Sequence, residues 1–496
     1  MGSIRKQTIL SSIIIYVGFF IGFLNTWFFI RNNSFSPAEY GLTRLFFDIG
    51  LNVFAFASFG VVPVIFKFFP YFNDRLERKK NDLLTWCMAA SLVGFVLVVL
   101  AGWLFEPLIV RKFSGRSALL VHYYYWIFPF GFGMLLFSIF EVFSWSVKQT
   151  LLPNFLKETG LRLLTLLIIV PYYLKWIDFD IFIRLFAFTY LAIAVFLFVL
   201  LRAKGELKFS FKVSYVTRRY RKKMAMLAVY TYAGVIISML AQSLDSIFIA
   251  SLKGLDLAGV FNLAAYIANV IQVPQRSVVS VTTPLLSQAW KDKNMQEISR
   301  IYNRSAINLL ALAIFIFGGI WLNIHEAFGL LDIRSDYNAG ISVIFILAIA
   351  RVIDAGTGVN SLIIATSTLW RFEFFTGLFL VLLIIPLNYI LISNYGIIGS
   401  AWSNLISFTV YNSIRLWFIW YRFKLQPFSS KTAYLLLLGI ASYMLSFIAF
   451  ESWSGWTGII MRSIMFSTLY LGGMVLLKIS PDALALVHRI MKRKSD

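Results

Sequence analysis

The chain has 496 residues, of which 59% are hydrophobic and 14% charged, whereas a soluble domain carries roughly 25% charged residues. A water-soluble protein of this length cannot hide so much apolar surface, so an ordinary multidomain soluble enzyme is excluded. The 45 Lys and Arg against 23 Asp and Glu give a formal net charge of +22, and the placement of those charges decides between a nucleic-acid patch and a membrane topology signal.

Apolar stretches recur at the ~20-residue length needed to cross about 30 Å of hydrocarbon. The first follows MGSIRK and runs from Ile9 to Ile30. It is too long for a signal-peptide core and lacks a small-residue cleavage site, so it is read as a span. In chain order the spans are expected at about 8–30, 41–67, 83–107, 119–145, 151–174, 179–201, 224–249, 257–284, 302–324, 338–366, 372–393, 396–421, 432–450 and 457–478. The fold class expected is therefore an all-α polytopic membrane protein with about fourteen transmembrane helices. A tight turn near Asn394 and a short final hairpin separate the last spans.

Loop charge sets the orientation. One set of ends carries Arg5, Lys6, Arg75, Arg78, Lys79, Lys80 and Lys148, then a dense basic run from Arg202 to Lys223. The same side continues through Lys291, Lys293, Arg300, Arg371, Arg422, Lys424, Lys431, Arg489, Lys492, Arg493 and Lys494. The opposite side has Arg31, Arg111, Lys112, Arg116, Lys175, Lys253 and Arg334. Both termini are expected on the cytoplasmic side. The positive charge is then a topology signal with some attraction to anionic headgroups, and no nucleic-acid partner is expected.

A shift of about 218 residues places Gly41 of AEYGLTRL on Gly259 of DLAGVFNL, Arg75 on Lys293, and the spans at 119–201 on those at 338–421. Repeats of this kind are a transporter feature, with substrate near the midplane. One offset relating six spans makes the repeats parallel. The expected domains are an N-terminal six-helix lobe (1–201), a basic cytoplasmic linker (202–223), a C-terminal six-helix lobe (224–421), and a two-helix appendage with a basic tail (422–496).

Ionisable groups inside a membrane are costly, so each is a functional candidate. Arg351 and Asp354 lie near the centre of their span, as does Arg162, with Lys157 and Glu158 nearer the cytoplasm. Arg276, Asp245, Arg44, Asp48 and Glu141 complete the set. The competing structural reading is self-neutralisation on one helix, since Arg44–Asp48 and Glu158–Arg162 are i,i+4 pairs and Arg351–Asp354 is i,i+3. Lys157 and Arg276 have no local partner in sequence, which favours function for the group. Lys67, Arg184, Arg415 and Arg462 lie nearer span ends and are expected to snorkel.

The single Cys87 and the scattered His122, His325 and His488 provide no disulfide framework or metal-ligand spacing. No P-loop, nucleophile elbow or metal motif is present, so neither a cofactor nor intrinsic ATP-driven transport is expected.

Over its first twelve spans the chain resembles the multidrug/oligosaccharidyl-lipid/polysaccharide flippase superfamily, and within it the bacterial polysaccharide and O-antigen flippases. The resemblance rests on SFSPAEYGLTRL, on Asp245 with SIFIASLKGLDLAGVFNLAAYI and Pro284, and on RFEFFTGLFLVLLIIPLNYILISNYGIIGSAWSNLIS with Asn388, Gly396, Gly399 and Ala401. It implies a pair of six-helix bundles in the inner membrane that open alternately to each side. It also implies a basic cavity for the pyrophosphate of an undecaprenyl-linked oligosaccharide, used in polysaccharide or lipopolysaccharide assembly, and often a proton or sodium gradient. Guanidinium groups suit phosphate, which makes Arg351, Arg276, Arg162, Lys157 and Arg44 the substrate candidates. Asp354, Asp245, Asp48, Glu158 and Glu141 are the candidates for ion coupling or for holding those bases. The partners expected are the lipid-linked glycan, membrane lipids and H+ or Na+. A monomer suffices, alone or beside glycan-assembly proteins. The rivals are a drug/cation antiporter of the same fold, a polysaccharide polymerase or ligase, whose large catalytic outer loop is missing here, and a non-transporting scaffold.

Overall fold

The computed structural model describes residues 17–479, and among these the chain is helical, with no β-strand. Residues 8–16 of the expected first span and the basic tail from Arg489 to Lys494 lie outside the described residues. The chain falls into two compact units, Met1–Gly259 and Val260–Asp496.

The first unit contains α1 (Val17–Ile30), α2 (Pro37–Ala57), α3 (Val61–Asn73), α4 (Leu83–Phe113) and α5 (Tyr124–Ser146). A short helix α6 (Leu151–Phe155) continues through a π turn (Leu156–Gly160) into α7 (Leu161–Tyr173). Then come α8 (Phe179–Ala203) and α9 (Tyr215–Leu252).

The start of α2 is written in the sequence. Ser36 is its N-cap, Pro37 opens the first turn, and Glu39 closes a capping box by accepting from Ser36 N at 2.7 Å while Glu39 N donates to Ser36 Oγ at 3.2 Å. These contacts satisfy N–H groups that a helix start otherwise leaves orphaned. Gly60, at φ +69°, then bends α2 against α3 by 52°. The core is built from phenylalanine, with Phe35, Phe46, Phe130, Phe182 and Phe186 buried and the rings of Phe130 and Phe186 stacked 5.3 Å apart.

The basic linker is fastened down as well. Asp82 is fully buried, and its Oδ2 accepts from Ser214 N at 2.9 Å and Thr217 Oγ1 at 2.8 Å, at the start of α9. Thr85 Oγ1 accepts from Ser210 N at 3.0 Å. Replacing Asp82 with Ala leaves Ser214 N and Thr217 Oγ1 without this acceptor, at a cost of about 1–3 kcal/mol. The expected result is roughly tenfold faster tryptic cleavage at the lysines and arginines of 202–223, by a local opening worth about 1.4 kcal/mol. An unchanged cleavage rate would show that Asp82 does not hold the linker.

The α10 helix (Leu255–Asn269) crosses the boundary between the units. Its Gly259 and the Gly41 of α2 pack reciprocally. A Cβ on Gly41 would strike the Leu255 carbonyl and come within 3.0 Å of Gly259 N. A Cβ on Gly259 would strike the Pro37 carbonyl and come within 3.1 Å of Gly41 N. The two glycines equated by the 218-residue shift therefore touch each other.

The second unit continues with α11 (Val273–Lys291), α12 (Met295–Leu330), α13 (Ile341–Gly356), α14 (Asn360–Thr366), α15 (Trp370–Phe423), α16 (Ser430–Ala449) and α17 (Gly455–Leu476). The 54-residue α15 is two helices joined at Gly396, whose φ of 61° and ψ of −140° reverse the chain where the sequence reading expects a tight turn. The α16–α17 pair docks on α12, where Tyr470 Oη donates to Ala311 O at 2.9 Å and Asn323 Nδ2 to Ser463 Oγ at 3.0 Å. Gly439 and Gly318 let Ile314 and Phe466 approach closely.

Among the described residues, ten helices are long and apolar enough to cross a membrane, or eleven if the bent α2–α3 pair is one span. The expected count of fourteen is not reached on length and composition. The physical reasons are visible: α15 merges two expected spans across Gly396, a π turn interrupts the span at 151–174, and α1 is described only from Val17. The two units meet in the chain at Gly259, and α9 packs on α2 and α3 of the first unit.

Candidate functional site

In the first unit, α2 brings Arg44, Asp48 and Asn52 to one face at helical spacing, and α9 presents Ser243, Asp245 and Ser246. Asn52 Nδ2 donates to Ser243 Oγ at 2.7 Å and to the Asp48 carbonyl at 2.8 Å. Ser246 hydrogen-bonds the Asp48 carboxylate, with Arg44 and Asp245 close enough to act on it electrostatically. Asp48 Oδ2 is sealed from solvent and has no hydrogen-bond partner among the described residues. Arg44 turns back along its own helix, donating from Nε to Tyr40 Oη at 3.0 Å and lying 5.1 Å over that ring. The neighbouring carboxylates Asp48 and Asp245, one with an unused acceptor, form a polar pair that can take a proton or a small cation.

A second cluster surrounds the π turn. Such turns insert one residue into a helix and occur often at functional sites. Here the turn directs Lys157 and Glu158 to different neighbours. Lys157 Nζ donates to both carboxylate oxygens of the buried Glu141, each at 3.1 Å. The sequence offers Lys157 no local partner, and the one it has lies sixteen residues away on α5. Glu158 and Arg162 form the expected i,i+4 pair at 3.3 Å. The Arg162 guanidinium lies 5.1 Å over Phe19, and its carbonyl accepts from Asn25 Nδ2 at 2.8 Å. Gly18 and Gly22 allow α1 this approach, Gly18 against the Glu158 carbonyl and Gly22 against the Arg162 side chain.

The second unit holds a cage around Asp354. Oδ2 accepts from Gln272 Nε2 at 3.0 Å and Gln275 Nε2 at 3.4 Å, and Oδ1 accepts from Asn412 Nδ2 at 2.9 Å. Asn412 Oδ1 in turn accepts from Asn360 Nδ2 at 3.0 Å, and Thr357 Oγ1 donates to the Asp354 carbonyl at 2.7 Å. The self-neutralising Arg351–Asp354 pair weighed from sequence is thus replaced by neutral amides. The Arg351 guanidinium instead lies 4.9 Å over Phe408. Arg276 is exposed on α11, and no salt bridge reaches it from the described residues.

Two expected snorkelling residues are corrected. Arg415 is buried, pairs with Glu373 and stacks on Tyr411, while Ser361 Oγ donates to Glu373 Oε1 at 2.7 Å. Arg462 is buried as well, paired with Glu326 and donating to the Gly458 carbonyl at 3.2 Å. Both sit against a carboxylate on another helix segment, a stronger attraction than the interface offers. Lys67 and Arg184 are exposed. Among the described residues no group of three or more His, Cys, Asp or Glu side chains has metal-binding geometry. The sequence reading misses Glu373, Asn412 and Gln272; the signal available is a polar side chain inside an apolar run.

No family model matches the chain. An uncharacterized membrane protein of Methanocaldococcus jannaschii is 22% identical over 445 residues, covering 83% of each chain. Among solved structures, the lipid II flippase MurJ in an inward closed conformation superposes with a TM-score of 0.75 at 15% identity, covering 95% of this chain and 98% of that one. An inward-facing MATE-family multidrug transporter gives 0.61 at 15% identity, covering 83% and 94%. The MATE multidrug transporter DinF-BH gives 0.55 at 16%, covering 84% and 95%. This chain is an integral membrane protein with the fold of the multidrug/oligosaccharidyl-lipid/polysaccharide flippase superfamily.

Proposed function

We propose that the protein is a transporter that flips a lipid-linked oligosaccharide of the undecaprenyl-pyrophosphate type across the inner membrane by alternating access, with both termini cytoplasmic. The observation that carries the reading is coverage. The likeness to a lipid II flippase extends over 95% of the chain, whereas the multidrug transporters match 83–84% of it. The exposed Arg276 and the centrally placed Arg351 supply bidentate donors for a diphosphate. In this proposal Arg162, Lys157 and Arg44 add positive charge, while Asp354, Asp245, Asp48, Glu158 and Glu141 orient those bases or take up the coupling H+ or Na+. We further propose that residues 8–201 and 224–421 are structural repeats.

The amide cage makes the test clean. Removing Arg351 does not orphan Asp354, so Arg351→Ala and Arg276→Ala are expected to keep the protein folded. Each should lower glycan export in a flippase-deficient cell at least about tenfold, a loss of ~1.4 kcal/mol of transition-state stabilisation. Arg276→Lys should recover part of it. Full export by both well-folded alanine variants would sink the phosphate-ligand reading. The unpartnered Asp48 oxygen favours one second reading, a cation-coupled drug antiporter. Efflux of organic cations that survives both arginine changes and is lost in Asp48→Asn would establish it instead.

A further inference from the structure

In the first unit, two loops line a cavity of about 360 Å³, within the range of about 300–1,000 Å³ typical of small-molecule sites. The loop from α1 to α2 contributes Asn33. The loop from α7 to α8 contributes Lys175, Trp176 and Asp178, and the end of α7 adds Tyr172 and Tyr173. Local chemistry fixes these residues in place. Lys175, at φ 60°, is the left-handed residue of a Schellman motif: its N–H donates to the Tyr172 carbonyl and the Trp176 N–H to the Pro171 carbonyl, each at 2.9 Å. Asp178 is the N-cap of α8, with Oδ1 accepting from Ile181 N at 2.9 Å. The tyrosines are held at their hydroxyl ends, Tyr172 Oη donating to Glu39 Oε1 at 3.2 Å and Tyr173 Oη accepting from Arg31 Nη1 at 3.1 Å. The backbone that carries Trp176 is therefore set, while the residue itself is 75% exposed.

The mixture of groups selects the ligand. An exposed indole at a water boundary can serve as a plain interface anchor, but an anchor needs no polar cluster beside it. Here Asn33 offers both a donor and an acceptor, Lys175 a donor and Asp178 an acceptor. The two opposite charges cancel, which disfavours an ionic ligand. Hydroxyl groups, which both donate and accept, match the set, and aromatic faces suit the C–H-rich face of a sugar ring. We propose that this cavity binds a neutral pyranose unit of a glycan. The inference rests on the flippase reading for the presence of a glycan at this face. It adds a docking point that uses none of the cations assigned to the diphosphate.

The test uses the purified full-length protein in a sugar-free detergent, titrated with neutral trisaccharides of N-acetylglucosamine, of glucose and of galactose, and read by saturation-transfer NMR. The parent is expected to bind at least one of them with a Kd of about 1 mM. Trp176→Ala should weaken that binding at least about tenfold, which is ~1.4 kcal/mol. Trp176→Phe, which keeps an aromatic face, should stay within about threefold of the parent. Asn33→Gly removes the amide while accommodating the φ of 58°, and should weaken binding about fivefold. Trp103→Ala, which removes another indole more than half exposed, on α4, should change nothing. Absence of saturable binding of all the trisaccharides to the folded parent overturns the proposal. So does binding that survives both Trp176→Ala and Asn33→Gly, which would leave Trp176 an interface anchor. The probes carry neither phosphate nor lipid, so failure of the arginine test in export leaves this readout unchanged, and loss of this site leaves the arginine test intact.

Discussion

Valine at position 259 is expected to cost the fold about 3 kcal/mol, the upper end of what overpacking usually does. The reason is geometric. The first atom added to Gly259 already strikes the Pro37 carbonyl, and the first atom added to Gly41 strikes the Leu255 carbonyl. Both obstacles are backbone, so no rotamer change relieves them, and α2 and α10 have to separate along the crossing. Close approach through small residues is a main way for helices to gain packing contacts in lipid, where tails are as apolar as leucine. Gly41→Val should behave the same way, and the double variant should be no worse than the sum of the two, since one displacement serves both. Gly319→Ala is the control: nothing lies within 4 Å of its added Cβ, and the residue is helical. It should be neutral or gain up to about 1 kcal/mol from helix propensity. The buried Cys87 supplies a readout, because a thiol-reactive dye labels it on unfolding. A Gly259→Val protein that labels at the parent's temperature would remove the close crossing from the account of this fold.

How much of this is legible in the sequence depends on which physics wrote it. The Ser36-Pro37-Glu39 helix start and the Gly396 turn are local chemistry, and both are readable from a few residues. A shift of 218 residues aligns Gly41 with Gly259 but does not reveal them as partners, because contact between them depends on packing between segments far apart in the chain. Charge pairing is the least legible part. Spacings of three and four residues along a helix reveal Glu158–Arg162 but not Glu141–Lys157, which forms between helices beside a π turn. Sequence spacing gives Asp354 an arginine, whereas its acceptors are filled by Gln272, Gln275 and Asn412. Neutral amides carry no burial alarm in a hydropathy scan, although they satisfy a carboxylate well. Asp82 escapes notice because a loop aspartate next to a helix start looks like an ordinary cap, and only the fold shows that it is fully buried and holds the linker. Arg415 and Arg462 lie at expected span ends, where water is normally within reach, and carboxylates on other segments draw them inward instead.

Arg415 provides the second large effect. Its side chain is 6% exposed and that of Glu373 20%, and the two come from opposite halves of α15, so the pair closes the hairpin far from the Gly396 turn. Burying both charges costs more desolvation than an exposed pair does, and their attraction offsets that cost only while both are present. Arg415→Ala leaves the Glu373 carboxylate with Ser361 as its remaining donor and removes the cation from the Tyr411 face. Loss of one partner from a buried pair costs about 3–5 kcal/mol, so a large fall in the Cys87 labelling temperature is expected. Changing Arg415 to Met together with Glu373→Leu removes both charges at once, and replacement of a buried pair by apolar groups is often neutral or better. The double variant Arg415→Met with Glu373→Leu should therefore recover most of the loss. Recovery would identify the pair as a structural clasp whose removal leaves the helices assembled. If the double variant is as unstable as Arg415→Ala, the arginine stabilises through its stacking on Tyr411 instead, and the ion pair contributes little to the fold.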